Sequence, residues 1–180
     1  MRALVLAVLF SLTSFSVAVA QERQYERNTV NPSGAELYAV FITQSVCHGS
    51  NRAGFDQTIA RAKTMLAGQA ADDGLAFAVR GVVLDWDPRA GVDYLLGRFG
   101  QFDEVASGRN WFGADAAAYI WEAEGGVPAT PQLIVFRRTI TPTDTGIDYS
   151  PDELVARFVG VEIDAFVAGE VELPSQQDEP

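Results

Sequence analysis

Thr130-Pro131-Gln132-Leu133-Ile134-Val135-Phe136 sets a proline one residue ahead of four consecutive apolar residues. A short apolar run bounded by polar residues reads as a strand buried on both faces, here about Gln132 to Arg138. Proline cannot donate to a strand ladder, so Pro131 belongs at the entrance. Leu37 to Thr43 has the same profile upstream, and a further strand covers about Phe77 to Asp85 through Val79, Val82, Val83 and Leu84.

Helical patterns separate these runs. Phe55, Ile59, Ala62 and Leu66 recur at helical spacing after the loop Gln44 to Ser50, with Gly68 as a stop signal. Asp87-Pro88 reads as an N-cap followed by proline at the first helical position, opening a helix through Tyr94, Leu95 and Phe99. Phe102 to Val105 suits a small strand, and Asp115 to Glu124 is helical by composition, closed by Gly125-Gly126. Thr139 to Tyr149 would return as an edge strand. Ser150-Pro151-Asp152-Glu153 has the form of a capping box ahead of a helix over Leu154 to Val159. Strands alternating with helices predict an α/β fold, a central mixed sheet flanked by helices.

In that order, a cysteine follows the first strand, Thr130-Pro131 precedes the third main strand, and a hairpin plus helix closes the chain. This resembles the thioredoxin-like fold, over roughly Leu37 to Val159. The Phe102–Tyr119 segment and Val83-Leu84-Asp85-Trp86-Asp87-Pro88 are similar to its TlpA-like, Sco-like and peroxiredoxin branches. The resemblance implies a cis proline at Pro131 facing a redox cysteine, with Thr130 beside it. The chain departs from the usual motif in having Ser50 three residues after Cys47, and Asn51 four after, where a second cysteine would stand.

Cys47 is the one cysteine of the chain, which excludes an internal disulfide. Placed at a helix mouth, a thiol meets unpaired N–H groups and the positive end of the helix dipole, both favouring thiolate. Ser50 could donate to the sulfur and His48 could add positive charge. Without a resolving thiol, Cys47 could form mixed disulfides that an external thiol must release. The other account is a packed remnant, since cysteine is among the most buried residue types. The resemblance implies a buried acid that assists proton transfer at the cysteine, with Asp85, at the end of the second strand, as the candidate, whereas Asp87 is needed as a cap. The resemblance adds that a cis Pro131 would shape a peptide-binding groove whether or not the thiol reacts.

The 180 residues, 48% hydrophobic and 21% charged, suffice for one buried core. Arg2, the apolar run Ala3 to Phe10 and the small residues Ala18-Val19-Ala20 predict a signal peptide over residues 1–20, cleaved after Ala20. Serines and a threonine make this run too short and polar for an anchor, so no stable membrane insertion is expected and the destination is the periplasm or the medium. A flexible segment 21–34, a domain 35–168 and an acidic tail 169–180 would follow. The formal charge of −11 argues against nucleic acid as a partner. With one histidine, no metal site is expected. Nor is any cofactor: no phosphate-binding glycine loop with lysine is present. The aromatic group Trp111, Phe112, Tyr119 and Trp121 is expected in the core, and Arg137-Arg138 at a solvated strand end.

Two functions follow. One is an exported thioredoxin-like protein exchanging thiols through Cys47, with Ser50 stabilising thiolate and Pro131 positioning a protein or peptide partner. The other is a non-catalytic binding module using the Pro131 groove.

Overall fold

The computed structural model describes Tyr25, residues 33–123 and residues 125–174. The signal-peptide reading at residues 1–20, most of segment 21–34 and the end of the acidic tail lie outside them. The described residues form a six-stranded sheet in the order β3-β2-β1-β4-β5, with β6 also paired to β4. β1 (Gly34–Thr43) and β2 (Ala76–Val83) run parallel, as do β2 and β3 (Glu104–Ser107). β4 (Gln132–Thr143) is antiparallel to β1. Its first half pairs with β6 (Glu153–Val159), and its second half makes a hairpin with β5 (Gly146–Tyr149).

β1 is central, and Glu36 to Thr43 are all buried, which is why the run reads as continuously apolar instead of alternating. Its odd positions Leu37, Ala39 and Phe41 face α1 (Phe55–Asp72), α2 (Pro88–Phe99) and α4 (Glu162–Val167). Its even positions Tyr38, Val40 and Ile42 face a second cluster with Ala116 and Ile120. That face is covered by α3 (Ala114–Ala116), continued by a π-helical turn over Ala117–Trp121. The thioredoxin-like reading of the sheet and its flanking helices is what the chain adopts.

Four readings need correction. The residues following Ser150-Pro151-Asp152-Glu153 form β6, not a helix. The Ser150 hydroxyl accepts from Thr139 N–H at 2.8 Å instead of capping a helix, and the open edge of β4 supplies the ladder partners. Gly68 does not end α1, because Ala70 keeps the buried stripe going. The left-handed residue that closes the helix is Gly74, at φ 70°. Arg138 is not solvated but 10% exposed, paired with the buried Glu36. Among the four expected core aromatics, Phe112 and Trp121 are 73% and 54% exposed. The helical cover on that face is short, running only from Ala114 to Trp121, and buries Ala116 and Ile120 while its outer side meets water.

Lys63 is buried on α1 with its ammonium donating to Phe99 O at 2.7 Å and Gln101 O at 3.0 Å, above the Phe102 ring. It thus ties α1 to the carboxyl end of α2. Burial pushes its pKa down to about 8, against a weaker upward pull from Asp103. Above that pH the unfolded chain holds more protons than the folded one, so stability rises with pH. Between pH 8 and 10 the gain is expected to be roughly 2–3 kcal/mol, at 1.36 kcal/mol per unit. Urea unfolding at both pH values checks it: Lys63→Met should lose this rise, and equal slopes in the two proteins would refute the assignment.

Candidate functional site around Cys47

β1 delivers the chain to the Gln44–Asn51 turn, and β4 begins beside it with the Thr130–Pro131 peptide bond in the cis form. The cysteine is not at a helix mouth. α1 starts at Phe55, and turns over residues 48–54 intervene, so local N–H groups and not the helix dipole act on the sulfur.

Cys47 is partly exposed. In its neutral form Sγ–H donates to Thr130 O at 3.2 Å. Burial pushes the thiol up, but hydrogen bonds from the Ser50 and Thr130 hydroxyls, and from the Ser50 and Gly49 N–H groups, outweigh it. The thiol therefore lies below the ordinary cysteine value. Ser50 is fully buried and accepts from the Thr43 hydroxyl at 2.8 Å. Gly49 is required by close approach: a Cβ there would stand 3.0 Å from Pro131 Cδ and 3.7 Å from Cys47 Sγ. Pro131 is itself buried, and its carbonyl already accepts from Gly160 N–H at 2.9 Å. Its edge is thus partly occupied by this chain.

Cys47, Ser50, Thr130 and Pro131 come together as one site. Asp85 joins it through Ser45, accepting from the Ser45 N–H at 3.1 Å and from the Ser45 hydroxyl. This makes Asp85 an anchor of the cysteine turn. Asp87 caps α2, accepting from Arg89 N–H at 2.9 Å and Ala90 N–H at 3.1 Å. His48 is exposed, and its carbonyl accepts from Asn51 N–H at 3.1 Å.

Several supporting residues escaped the sequence reading. A turn leaves carbonyls that no ladder satisfies, and arginines meet them. Arg98 donates to Ser50 O and Arg52 O at 3.1 and 3.0 Å, and Arg52 donates to Gly49 O at 2.8 Å while pairing with Asp164 on α4. Asn51 donates to Ser45 O at 2.6 Å and accepts from the Tyr94 hydroxyl at 3.0 Å. On the β4 side, Gln132 donates to Val127 O and Ala129 O, both at 2.6 Å, and accepts from Arg157 at 2.7 Å. The available signal was density of arginine and amide residues around two turns, which does not by itself say which carbonyl each one meets.

Val46, beside the cysteine, is exposed, as is Trp86, which lies against Phe112 with ring centroids 6.3 Å apart. Trp121 donates to Trp111 O at 2.8 Å and packs on its ring. Among the described residues, no group of three or more His, Cys, Asp or Glu is arranged to hold a metal ion. No helix among them is long and apolar enough to cross a membrane.

No protein-family model matches the sequence, and no curated protein matches it. Among solved structures the chain is similar to a thiol-disulfide oxidoreductase from Bacteroides fragilis NCTC 9343, with 16% identity and a TM-score of 0.45 over 76% of this chain and 82% of that one. The fold rests on the chain's own topology. Parallel β1 and β2, antiparallel β4 and β6, and a cis proline opening β4 against a cysteine after β1 make this a thioredoxin-like fold with a single cysteine.

Proposed function

We propose that the protein is a one-cysteine thiol–disulfide exchange protein acting on a protein or peptide partner. The observation that carries this reading is the setting of Cys47 Sγ between the Ser50 hydroxyl and Thr130 of the cis-proline loop, where hydrogen bonding favours thiolate despite partial burial. The Cys47 thiolate attacks one sulfur of a disulfide RS–SR′ in line with its bond. A Cys47–S–SR bond forms, the S–S bond of the partner breaks, and R′S⁻ leaves to take a proton from water. The chain has no second cysteine, so release needs an external thiol R″SH. Its thiolate attacks the R sulfur, giving R″S–SR and returning Cys47 as thiolate. The apolar run Ala3 to Phe10 with small residues at Ala18-Val19-Ala20 supports export to an oxidising compartment, where partner disulfides persist.

The test is incubation with oxidised glutathione at pH 7, read by intact mass. A glutathione adduct is expected on Cys47 at least about tenfold faster than in the urea-unfolded chain, given thiolate control of the rate, and no adduct on Cys47→Ser. An adduct no faster than in the unfolded chain overturns the proposal.

A second reading, a binding module needing no thiol chemistry, is favoured by the exposed Val46 beside Cys47 and the exposed Trp86, against which Phe112 lies. It expects Cys47→Ala to keep full affinity for a partner that the exchange reading requires Cys47 to trap.

A further inference from the structure

We propose that the cavity between α1, β4 and the C-terminal residues 169–174 is a binding site for an aliphatic carboxylate, whose head pairs with Arg137 and whose chain fills the apolar walls. Side chains along β4 alternate between the two faces of the sheet. Leu133 and Val135 enter the core beneath α1, and two residues on the same stripe ends in Arg137. There a cavity of about 480 Å³ opens, walled by Leu37, Leu66, Val155, Phe166 and Leu173. Sites for small molecules have this size, roughly 300–1,000 Å³.

Packing alone does not account for Arg137. Its side chain is half-buried, and Nε is shut off from solvent with no hydrogen-bond partner. Buried guanidinium groups are ordinarily paired. The next residue shows the ordinary solution: Arg138 meets Glu36 at 2.7 Å. Arg137 has no such carboxylate among the described residues, and Glu153, opposite it in the β4–β6 ladder, is exposed and unpaired with it. One positive charge thus stands beside apolar walls.

The other charged groups lining the cavity are Asp73 and Glu172. Both are exposed, and Asp73 accepts from Gln69 at 3.1 Å, so water and that amide screen their charge. The half-buried guanidinium is screened less, and it selects the head group. A carboxylate offers two oxygens to the guanidinium fork in parallel, and a small turn of the Arg137 side chain brings Nε into that pair. An aliphatic chain then covers Leu37, Leu66 and Phe166. Ser175-Gln176-Gln177-Asp178-Glu179-Pro180, next along the chain from Pro174 at the cavity wall, offers carboxylates but no large apolar side chain, and is the poorer occupant.

The experiment titrates hexanoate, octanoate and 1-octanol into the protein at neutral pH by calorimetry. Octanoate should bind at one site per chain, and hexanoate more weakly by about 3- to 4-fold for each missing methylene. The uncharged 1-octanol should bind at least about tenfold more weakly than octanoate, the scale of a hydrogen bond to a charged group. Arg137→Met, which keeps an apolar stem without the charge, should bring octanoate to the level of octanol and leave octanol within about twofold. Met65→Trp, which enlarges a partly exposed wall residue, should abolish binding of both. Absence of saturable octanoate binding, equal affinity for octanol, full octanoate affinity in folded Arg137→Met, or unaltered binding in folded Met65→Trp each overturns the proposal. A tenfold gain in octanoate affinity on removing residues 175–180, about 1.4 kcal/mol, would make that segment the resident and overturn it too. If Arg137→Met does not fold, octanoate against octanol on the wild-type protein decides. None of these readouts involves Cys47, so failure of glutathione exchange leaves the result standing.

Discussion

Arg138→Met is expected to destabilise the protein by about 3–5 kcal/mol, the cost of leaving a buried charge without its partner. Arg138 and Glu36 are directly opposite in the antiparallel β1–β4 ladder, with Nε to Oε2 at 2.7 Å. Glu36 is 1% exposed, and the guanidinium lies 3.5 Å above the Tyr38 ring centroid. Burial pushes the Glu36 carboxyl above its usual value, and the Arg138 hydrogen bond and charge recover only part of the shift. The folded state therefore binds the Glu36 proton more tightly than the unfolded one, and stability falls as pH rises through the window above the unfolded value. Removing Arg138 extends that window upward. The loss should thus be largest at neutral pH and shrink below about pH 4.3, where Glu36 is protonated in both states. The Glu36→Gln/Arg138→Met double variant should recover much of the loss, because no unpaired charge then remains. Urea unfolding at pH 4 and pH 7 decides it, and a neutral-pH loss below 1 kcal/mol, on the scale of an exposed pair, would show that the pair does not secure the strand.

The other large effect is expected at Gln132, the fully buried residue after the cis proline. Arg157 has no acceptor atom, so the Gln132 Oε1 must face it and Nε2 must face Val127 O and Ala129 O. Arg157 Nε and Nη2 have no partner among the described residues, which makes Gln132 its principal tie. Gln132→Leu strands that guanidinium and two loop carbonyls, at a cost of about 2–4 kcal/mol. Gln132→Glu keeps the tie to Arg157 but turns acceptor against acceptor at the loop. It should displace Thr130 from Cys47 and return the alkylation midpoint toward that of a free thiol, about 8.5. Both variants staying within 0.5 kcal/mol of wild-type, at the level of an ordinary surface change, with unaltered alkylation, would remove Gln132 from the site.

Much of this fold was legible because its central strands are buried on both faces. Leu37 to Thr43 and Leu133 to Phe136 admit little else, and Thr130-Pro131 marks where β4 begins. β6 was not legible: Leu154, Val155, Phe158 and Val159 satisfy a helical stripe, and the capping-box letters agree with it. The deciding fact, an unpaired edge on β4, is a property of the assembled sheet. The site divides in the same way. The meeting of Cys47, Ser50, Thr130 and Pro131 was legible through the resemblance to thioredoxin-like proteins, which places a cis proline against the cysteine turn. Arg52, Arg98 and Arg157 act on carbonyls whose directions are set only when both turns have docked.

The aromatic side chains around α3 have an optical consequence. None of the three tryptophans, Trp86, Trp111 and Trp121, lies in the core that α1, α2 and α4 cover. Trp86 and Trp121 are exposed, whereas Trp111 is half-buried against the second cluster. Indole emission therefore carries two separable signals. Trp111 should report the loss of the second cluster on unfolding, and Trp86 and Trp121 should shift to the blue when a partner settles over them.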